Sequence, residues 1–391
     1  MDDSQLRNHR VDALIDDGFI TTPAVEAAMR TVPRHLFLPD ADLTEAYEDT
    51  NVPTKTGPDG ECLSSASAPH VVALMLEQLE IGPGDRVLEV GAGTGYNAAL
   101  LTHMGAEVTT VDIDADAVAH TRKALDRAGV EGIRLVEGDG NAGVAEQAPY
   151  DRIVVTAGAW DIPPAWIDQL VEGGLLVVPL RLRGTTRAVA LRRDRDRRLA
   201  SESVRLCGFI PMRGSDDGET DIDLGENVRL RCDEDQDIPG ALPPGVLEEP
   251  RYSSWSGVEV AVEPITGIWG RLILSEAGTC RIAAEESAVR FGRANPAIPM
   301  LSPAIVEDGS LAYLATRRLG PGRSEAGAYG HGPAADQLCR RLIDTIRAWD
   351  TDRQEHLHIS VVPREDTETR VGDQSRSARV VPKHHVDLTL T

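Results

Sequence analysis

An apolar run with Glu89 near its end leads into a turn with glycine at alternate positions, Gly91, Gly93 and Gly95. Glycine has no Cβ, so a chain passing from strand to helix through such a turn lets a ligand touch its backbone. Asp112 closes the next apolar run, where a carboxylate can accept hydrogen bonds from ribose hydroxyls. Gly138-Asp139-Gly140 closes the third, where Asp139 can hold an adenine amino group. The last glycine of a dinucleotide fingerprint is absent, because Tyr96 stands there. A nucleoside without a pyrophosphate is therefore favoured, and S-adenosylmethionine is the expected cofactor, with S-adenosylhomocysteine as its product. The plain alternatives are a strand-end cap for Asp112 and a turn residue for Asp139.

These residues need a scaffold that brings strand ends together. From Arg86 onward, short apolar runs at 86–90, 107–111, 133–137, 151–156 and 174–179 alternate with amphipathic stretches such as 95–103 and 114–128. That alternation predicts a parallel sheet covered on both faces, with ligands at its carboxyl edge. Residues 188–191 and 204–207 flank a charged turn and predict an antiparallel pair at the end of the sheet. Upstream, the spacing predicts helices over 4–17, 22–31 and 67–79. Between them come an extended segment over 32–39 and a surface loop over 51–66. Residues 214–250 are acidic and rich in glycine and proline, and predict a linker or surface excursion. Beyond them, 257–320 reads as short strands and turns. A helix is expected over 334–349, a strand at 356–362, a polar stretch over 364–378 and a further strand within 379–390.

The formal net charge of −23 argues against a nucleic-acid partner and suits a neutral or cationic peptide. No run approaches a membrane span, and no signal peptide is evident, so the expected setting is the cytoplasm. Five scattered cysteines without a CxxC pair argue against a disulfide framework and structural zinc. His356, His358, His384 and His385 lack evident partner ligands, so no metal site is assigned. Trp160 and Trp166 are expected in core or rim packing. Cys62 has no neighbouring base and is not expected to act as a nucleophile.

Several separate motifs agree in order: Val32-Pro33-Arg34, Phe37-Leu38-Pro39, Ala46-Tyr47, Ser67-Ala68-Pro69-His70, the glycine turn, Gly138-Asp139-Gly140, Ala148-Pro149-Tyr150-Asp151 and Asp161-Ile162-Pro163. Over about residues 1–210 the chain resembles the protein-L-isoaspartate O-methyltransferase family. The resemblance implies an α/β fold with a doubly wound, mostly parallel Rossmann-like methyltransferase sheet, here with an added C-terminal α+β region. It implies that Ser67, Glu89, Gly91, Gly93, Asp112, Asp139 and Gly140 form the S-adenosylmethionine site, and that Ser67 is the active-site serine beside the substrate carboxylate. A helix N-cap is the plain alternative for Ser67.

Two departures sharpen this. The loop over 54–65 is longer than the family's, and the chain continues well past the family's end. With 158–166 and 207–212, these features resemble an extended branch that accompanies the biosynthesis of ribosomal peptides such as lanthipeptides, graspetides and lasso peptides. That branch methylates an ordinary aspartate in a modified precursor peptide, and the ester closes to an aspartimide. The domains expected are a methyltransferase domain over 1–213, the linker or excursion over 214–250, and an α+β domain over 251–391 with a substrate-recognition role. Rival readings are a repair enzyme acting on isoaspartyl protein, a non-catalytic peptide-binding module, and a methyltransferase of small molecules.

Overall fold

The computed structural model describes residues 1–214, 218–238, 242–261, 265–365 and 378–391. Helix α1 (Asp3–Asp16) starts at a reciprocal cap, with Asp2 accepting from the Gln5 amide and Gln5 reaching back. Helix α2 (Pro23–Thr31) begins with its proline as expected, but Thr22 does not cap it. The Thr22 hydroxyl and amide both go to Glu77 instead. Residues 34–37, expected to be extended, form a 3-10 turn that buries Arg34 and Phe37 before the short α3 (Leu43–Tyr47).

The loop expected over 51–66 is a hairpin of β1 (Val52–Thr56) and β2 (Cys62–Ala66). Its composition of Ser, Thr and Gly reads as loop. Cross-strand pairing, including Thr54 Oγ1 to Ser64 Oγ at 2.9 Å, supplies the order that composition hides. Helix α4 (Pro69–Leu79) follows.

The alternating region folds as expected. It comprises β3 (Arg86–Val90), α5 (Tyr96–His103), β4 (Glu107–Asp112), α6 (Ala115–Ala128), β5 (Arg134–Glu137), β6 (Tyr150–Val155), α7 (Pro164–Gln169) and β7 (Leu170–Leu182). Strands β3 to β7 pair in parallel. The chain runs outward from β3 to β4 and β5, then returns to place β6 on the other side of β3. That reversal opens a crevice at the carboxyl ends of β3 and β6. Strands β8 (Thr185–Arg193) and β9 (Leu199–Cys207) then form the expected antiparallel pair.

The second unit departs from expectation. Strands β10 (Glu219–Asp223) and β11 (Val228–Asp233) fall inside the stretch read as linker. They join β12 (Tyr252–Val260), β13 (Thr279–Ala284), β14 (Ser302–Glu307), β15 (Ser310–Gly320) and β16 (Arg323–His331) in a seven-stranded antiparallel sheet. The acidic residues that suggested a solvated linker meet arginines: Glu219 pairs with Arg181 and Asp235 with Arg183 at 2.6 Å, both from the first sheet's β7 region, and Asp221 pairs across strands with Arg231 at 2.7 Å. Residues 215–217 and 239–241 of that stretch lie outside the described residues. Two helices, α8 (Thr266–Ser275) and α9 (Glu286–Arg290), interrupt the region read as strands and turns. Helix α10 (Ala335–Asp350) forms where the apolar spacing predicts it.

After α10 the chain returns to the first sheet. Strand β17 (Ile359–Pro363) pairs with β9, and β18 (Arg379–Pro382) and β19 (Val386–Leu390) extend that edge. The first sheet therefore has ten strands, and the seven-stranded unit is an insertion between β9 and β17 rather than a C-terminal domain over 251–391. Most of the polar stretch at 364–378, residues 366–377, lies outside the described residues. Trp269 and Ile273 of α8 share a core with Leu176, Val178 and Leu388 of the first sheet, so one apolar cluster joins the two units. Among the described residues no helix is long and apolar enough to cross a membrane.

Candidate active site

The glycine turn leaves β3 with Gly91 at φ +103° and Gly93 at φ +52°. A Cβ on Gly91 would stand 2.4 Å from Thr156 Oγ1, whose hydroxyl donates to the Gly91 carbonyl at 2.8 Å. Nothing lies within 4 Å of the place a Gly93 Cβ would take. One glycine is thus demanded by packing against β6, and the other opens onto free space.

Two acids flank the turn. Glu89 is 1 % exposed, and its Oε1 accepts from Asn97 Nδ2 at 3.0 Å. Its Oε2 has no partner among the described residues. Burial pushes the Glu89 carboxyl up to about 7. Asp112 Oδ2 accepts from the Gly93 amide at 3.0 Å and Oδ1 from the Asp114 amide at 2.9 Å. A carboxylate has about four lone-pair sites, so Asp112 keeps capacity for hydroxyl donors.

Ser67 stands opposite, at the end of β2. Ala68, not Ser67, occupies the cap position of α4, and no side chain caps the helix there. The Ser67 carbonyl accepts from Arg34 Nη2 at 2.8 Å, while Arg34 Nε donates to the Ala46 carbonyl at 2.9 Å. Arg34 is buried, with its guanidinium 5.1 Å from the Tyr96 ring centroid. No sequence argument assigned Arg34 a role. Its signal is a charged residue inside the apolar segment 32–39.

A cleft of about 290 Å³ brings Ser67, Glu89, Gly91, Gly93, Asp112 and Gly140 together, with Arg213 and Asn51 at its wall. Asp139 is not among its lining residues. It is exposed, accepts from the Asn141 amide at 2.9 Å, and faces a neighbouring pocket beside Trp160, Asp161 and His385. Gly140 packs on β3, where a Cβ would come within 2.5 Å of Val90 Cγ1. Buried Trp166 holds the turn by donating Nε1 to the Gly140 carbonyl at 2.8 Å. Trp160 is also buried. Three of the four histidines named above go to carboxylates: His356 to Asp352 at 2.8 Å, His384 to Glu234 and His385 to Asp161, each at 2.7 Å.

The hairpin and the segment after β9 close over one side of the cleft. Asp114 Oδ2 accepts from Lys55 Nζ of β1 at 2.7 Å and from Arg213 Nη2 at 2.9 Å. Burial opposes ionisation of Asp114, but these two cations hold it down at about 2.

The residues present fit S-adenosylmethionine. Open space over Gly93 admits a ligand against the backbone, the unpartnered Glu89 Oε2 awaits a donor, and Asp112 can receive hydroxyls.

Comparison with known proteins agrees. The family described as "Protein-L-isoaspartate(D-aspartate) O-methyltransferase" matches residues 5–217. The protein-L-isoaspartate O-methyltransferase of Hyperthermus butylicus is 39 % identical over 221 residues, 54 % of this chain and 89 % of its own. That of Methanoculleus marisnigri is 45 % identical over 210 residues, 53 % of this chain and 91 % of its own. A solved structure of a protein-L-isoaspartate O-methyltransferase has a TM-score of 0.51 at 23 % identity, covering 90 % of this chain and 96 % of that one. That likeness concerns the fold, and it extends into the inserted unit. The match over more than half its length places the chain in the protein-L-isoaspartate O-methyltransferase family, and it is an S-adenosylmethionine-dependent methyltransferase.

Proposed function

We propose that this enzyme esterifies the side-chain carboxylate of an aspartate in a ribosomally made, modified peptide. The ester then closes to an aspartimide, which water can open to isoaspartate. The observation that supports this reading is the β1–β2 hairpin. Its inner strand, 62–66, runs along the cleft into Ser67, and its exposed turn stands beyond, so the transfer point has a wall a peptide can follow.

When bound, S-adenosylmethionine supplies the methyl group as a sulfonium. A carboxylate is already ionised near neutral pH, so the protein needs no strong base. Its task is to aim one oxygen and exclude water. Ser67 donates to one carboxylate oxygen and leaves the other to attack. Glu89, Asp112 and the backbone at Gly91 and Gly93 hold the donor. Asp139 and Gly140 bound its adenine end, Asp139 from the outer side of the Gly140 turn. The inserted unit contributes to peptide recognition, a role supported by its attachment: the segment lining the cleft at 208–213 runs on toward β10. The setting is the cytoplasm, a reading supported by five free cysteines.

Turnover of a cyclised precursor peptide, followed by ester and imide masses, is the expected result. Turnover of a short isoaspartyl peptide alone would replace this reading with protein repair. Repair is favoured by the curated relatives, which carry the isoaspartyl enzyme's name.

A further inference from the structure

The turn from Ser67 to His70 is braced by three side chains that precede it. Arg34 Nη2 donates to the Ser67 carbonyl at 2.8 Å. Asn51 Oδ1 accepts from the Ala68 amide at 2.8 Å, and Asp49 Oδ1 accepts from the His70 amide at 3.0 Å. Pro69 brings no N–H. Asn51 lines the cleft, as buried Arg34 does, and of the three it alone is exposed. The Ala68 N–H requires an acceptor, which fixes the Asn51 amide with Oδ1 toward the turn and Nδ2 away from it. No described residue accepts from Nδ2.

We propose that Asn51 is a second group holding the methyl-accepting carboxylate, beside Ser67. Its Oδ1 braces the turn, and its Nδ2 donates to the carboxylate oxygen that does not attack. The inference rests on the reading of Ser67 as the substrate-facing serine. A carboxylate leaving water needs donors. The cations on the cleft wall are engaged elsewhere, Arg34 with two carbonyls and Arg213 with Asp114. Neutral donors hold a carboxylate about half as strongly as cations, so they orient it while leaving its charge available for attack.

Asn51→Asp separates the two roles. It keeps an acceptor for the Ala68 amide and replaces the donor with a second oxygen that repels the substrate. With the peptide substrate, kcat/KM is expected to fall about 100-fold near neutral pH. The loss is expected to persist down to about pH 5, because the introduced carboxyl and the accepting one both stay ionised there. Binding of S-adenosylhomocysteine is expected to stay within about two-fold, which reports an intact fold. Asn51→Ala, which removes brace and donor without adding charge, is expected to lose only about 10-fold. A rate within about two-fold of wild type in Asn51→Ala overturns the inference by itself. Ser67→Ala runs in parallel and is expected to lose about 100-fold with cofactor affinity retained. Unchanged rates there overturn the underlying reading of Ser67. A slow Ser67→Ala beside a wild-type-like Asn51→Asp overturns the present inference and leaves Asn51 as a backbone brace.

Discussion

Two buried acids, one in each half of the molecule, show how differently the same group can be used. Asp233 ends β11 in the inserted unit and is 0 % exposed. Its two oxygens accept from the Arg183 amide at 2.9 and 3.0 Å, and Lys383 lies 3.7 Å away, itself fully buried. Glu89 in β3 is as deeply buried and lines the cleft, yet its Oε2 has no hydrogen-bond partner among the described residues. Burial raises the pKa of both. Burial alone therefore does not mark a site. What distinguishes Glu89 is a buried oxygen short of a partner on a residue that lines a cleft. The setting of each acid follows the same division. Around Glu89 the sheet is parallel, covered on both faces and opened at its carboxyl edge by glycines. Around Asp233 the sheet is antiparallel, and its charges serve to join the two units.

The largest effect that would test this contrast is expected at Asp233. Asp233→Asn removes the charge and leaves Lys383 buried without a counter-ion, which should cost about 3 kcal/mol of stability. Denaturant melts would report it, while turnover of the folded fraction stays near wild type. A large loss of turnover at unchanged stability would break the division between a structural and a site acid.

Glu89→Gln should act in the opposite direction. A carboxyl whose folded value is raised from 4.5 to about 7 disfavours folding as it ionises. The penalty is absent below the unfolded value of 4.5, grows as pH rises, and is full above about 7. The substitution should therefore stabilise the cofactor-free enzyme by on the order of 2 kcal/mol at pH 8, with the gain vanishing below about pH 4.5. It should also weaken S-adenosylhomocysteine binding, measurable by calorimetry. Equal stability of the two proteins across that range would refute the open-acid account of Glu89.

The smallest effect concerns the bridge over the cleft. Lys55→Ala removes one of the two cations on Asp114 and frees the hairpin from α6. Release of S-adenosylhomocysteine should quicken by about 3-fold, the scale of a partly exposed ion pair. The wild-type rate should approach the variant's at high salt. A release rate indifferent to both changes would show that the hairpin does not bound the cofactor.

Much of this was legible beforehand, and the pattern of what was missed is physical. Strands β3, β4 and β6 are mostly buried and read as apolar runs, while β5 is a short, partly exposed edge strand. The turns after them need glycine, so Gly91 and Gly93 could be picked out from type and spacing. Asp112 could be read the same way, because a carboxylate at that strand end has one place to go. Ser67 emerged from motif order rather than from its surroundings. Asp139 falls in the turn after β5 as expected, but that it lines the neighbouring pocket rather than the cleft was decided by the tertiary structure. The hairpin over 52–66 escaped because its strands are polar and half exposed. Strands β10 and β11 escaped because Glu219 and Asp233 look solvated until Arg181 and Arg183 are brought to them.

By itself the chain determined the alternating core, the strand-end turns and the residue types that line the cleft. These are set by hydrophobic period and backbone conformation, both of which are local. Only the tertiary structure decided that Arg34, Asp49 and Asn51 brace the turn of Ser67, that Lys55 and Arg213 meet on Asp114, and that the chain's last strands return to the first sheet. Those outcomes depend on charge and hydrogen-bond partners far apart in sequence, whose pairing exists only once the sheet has brought them together.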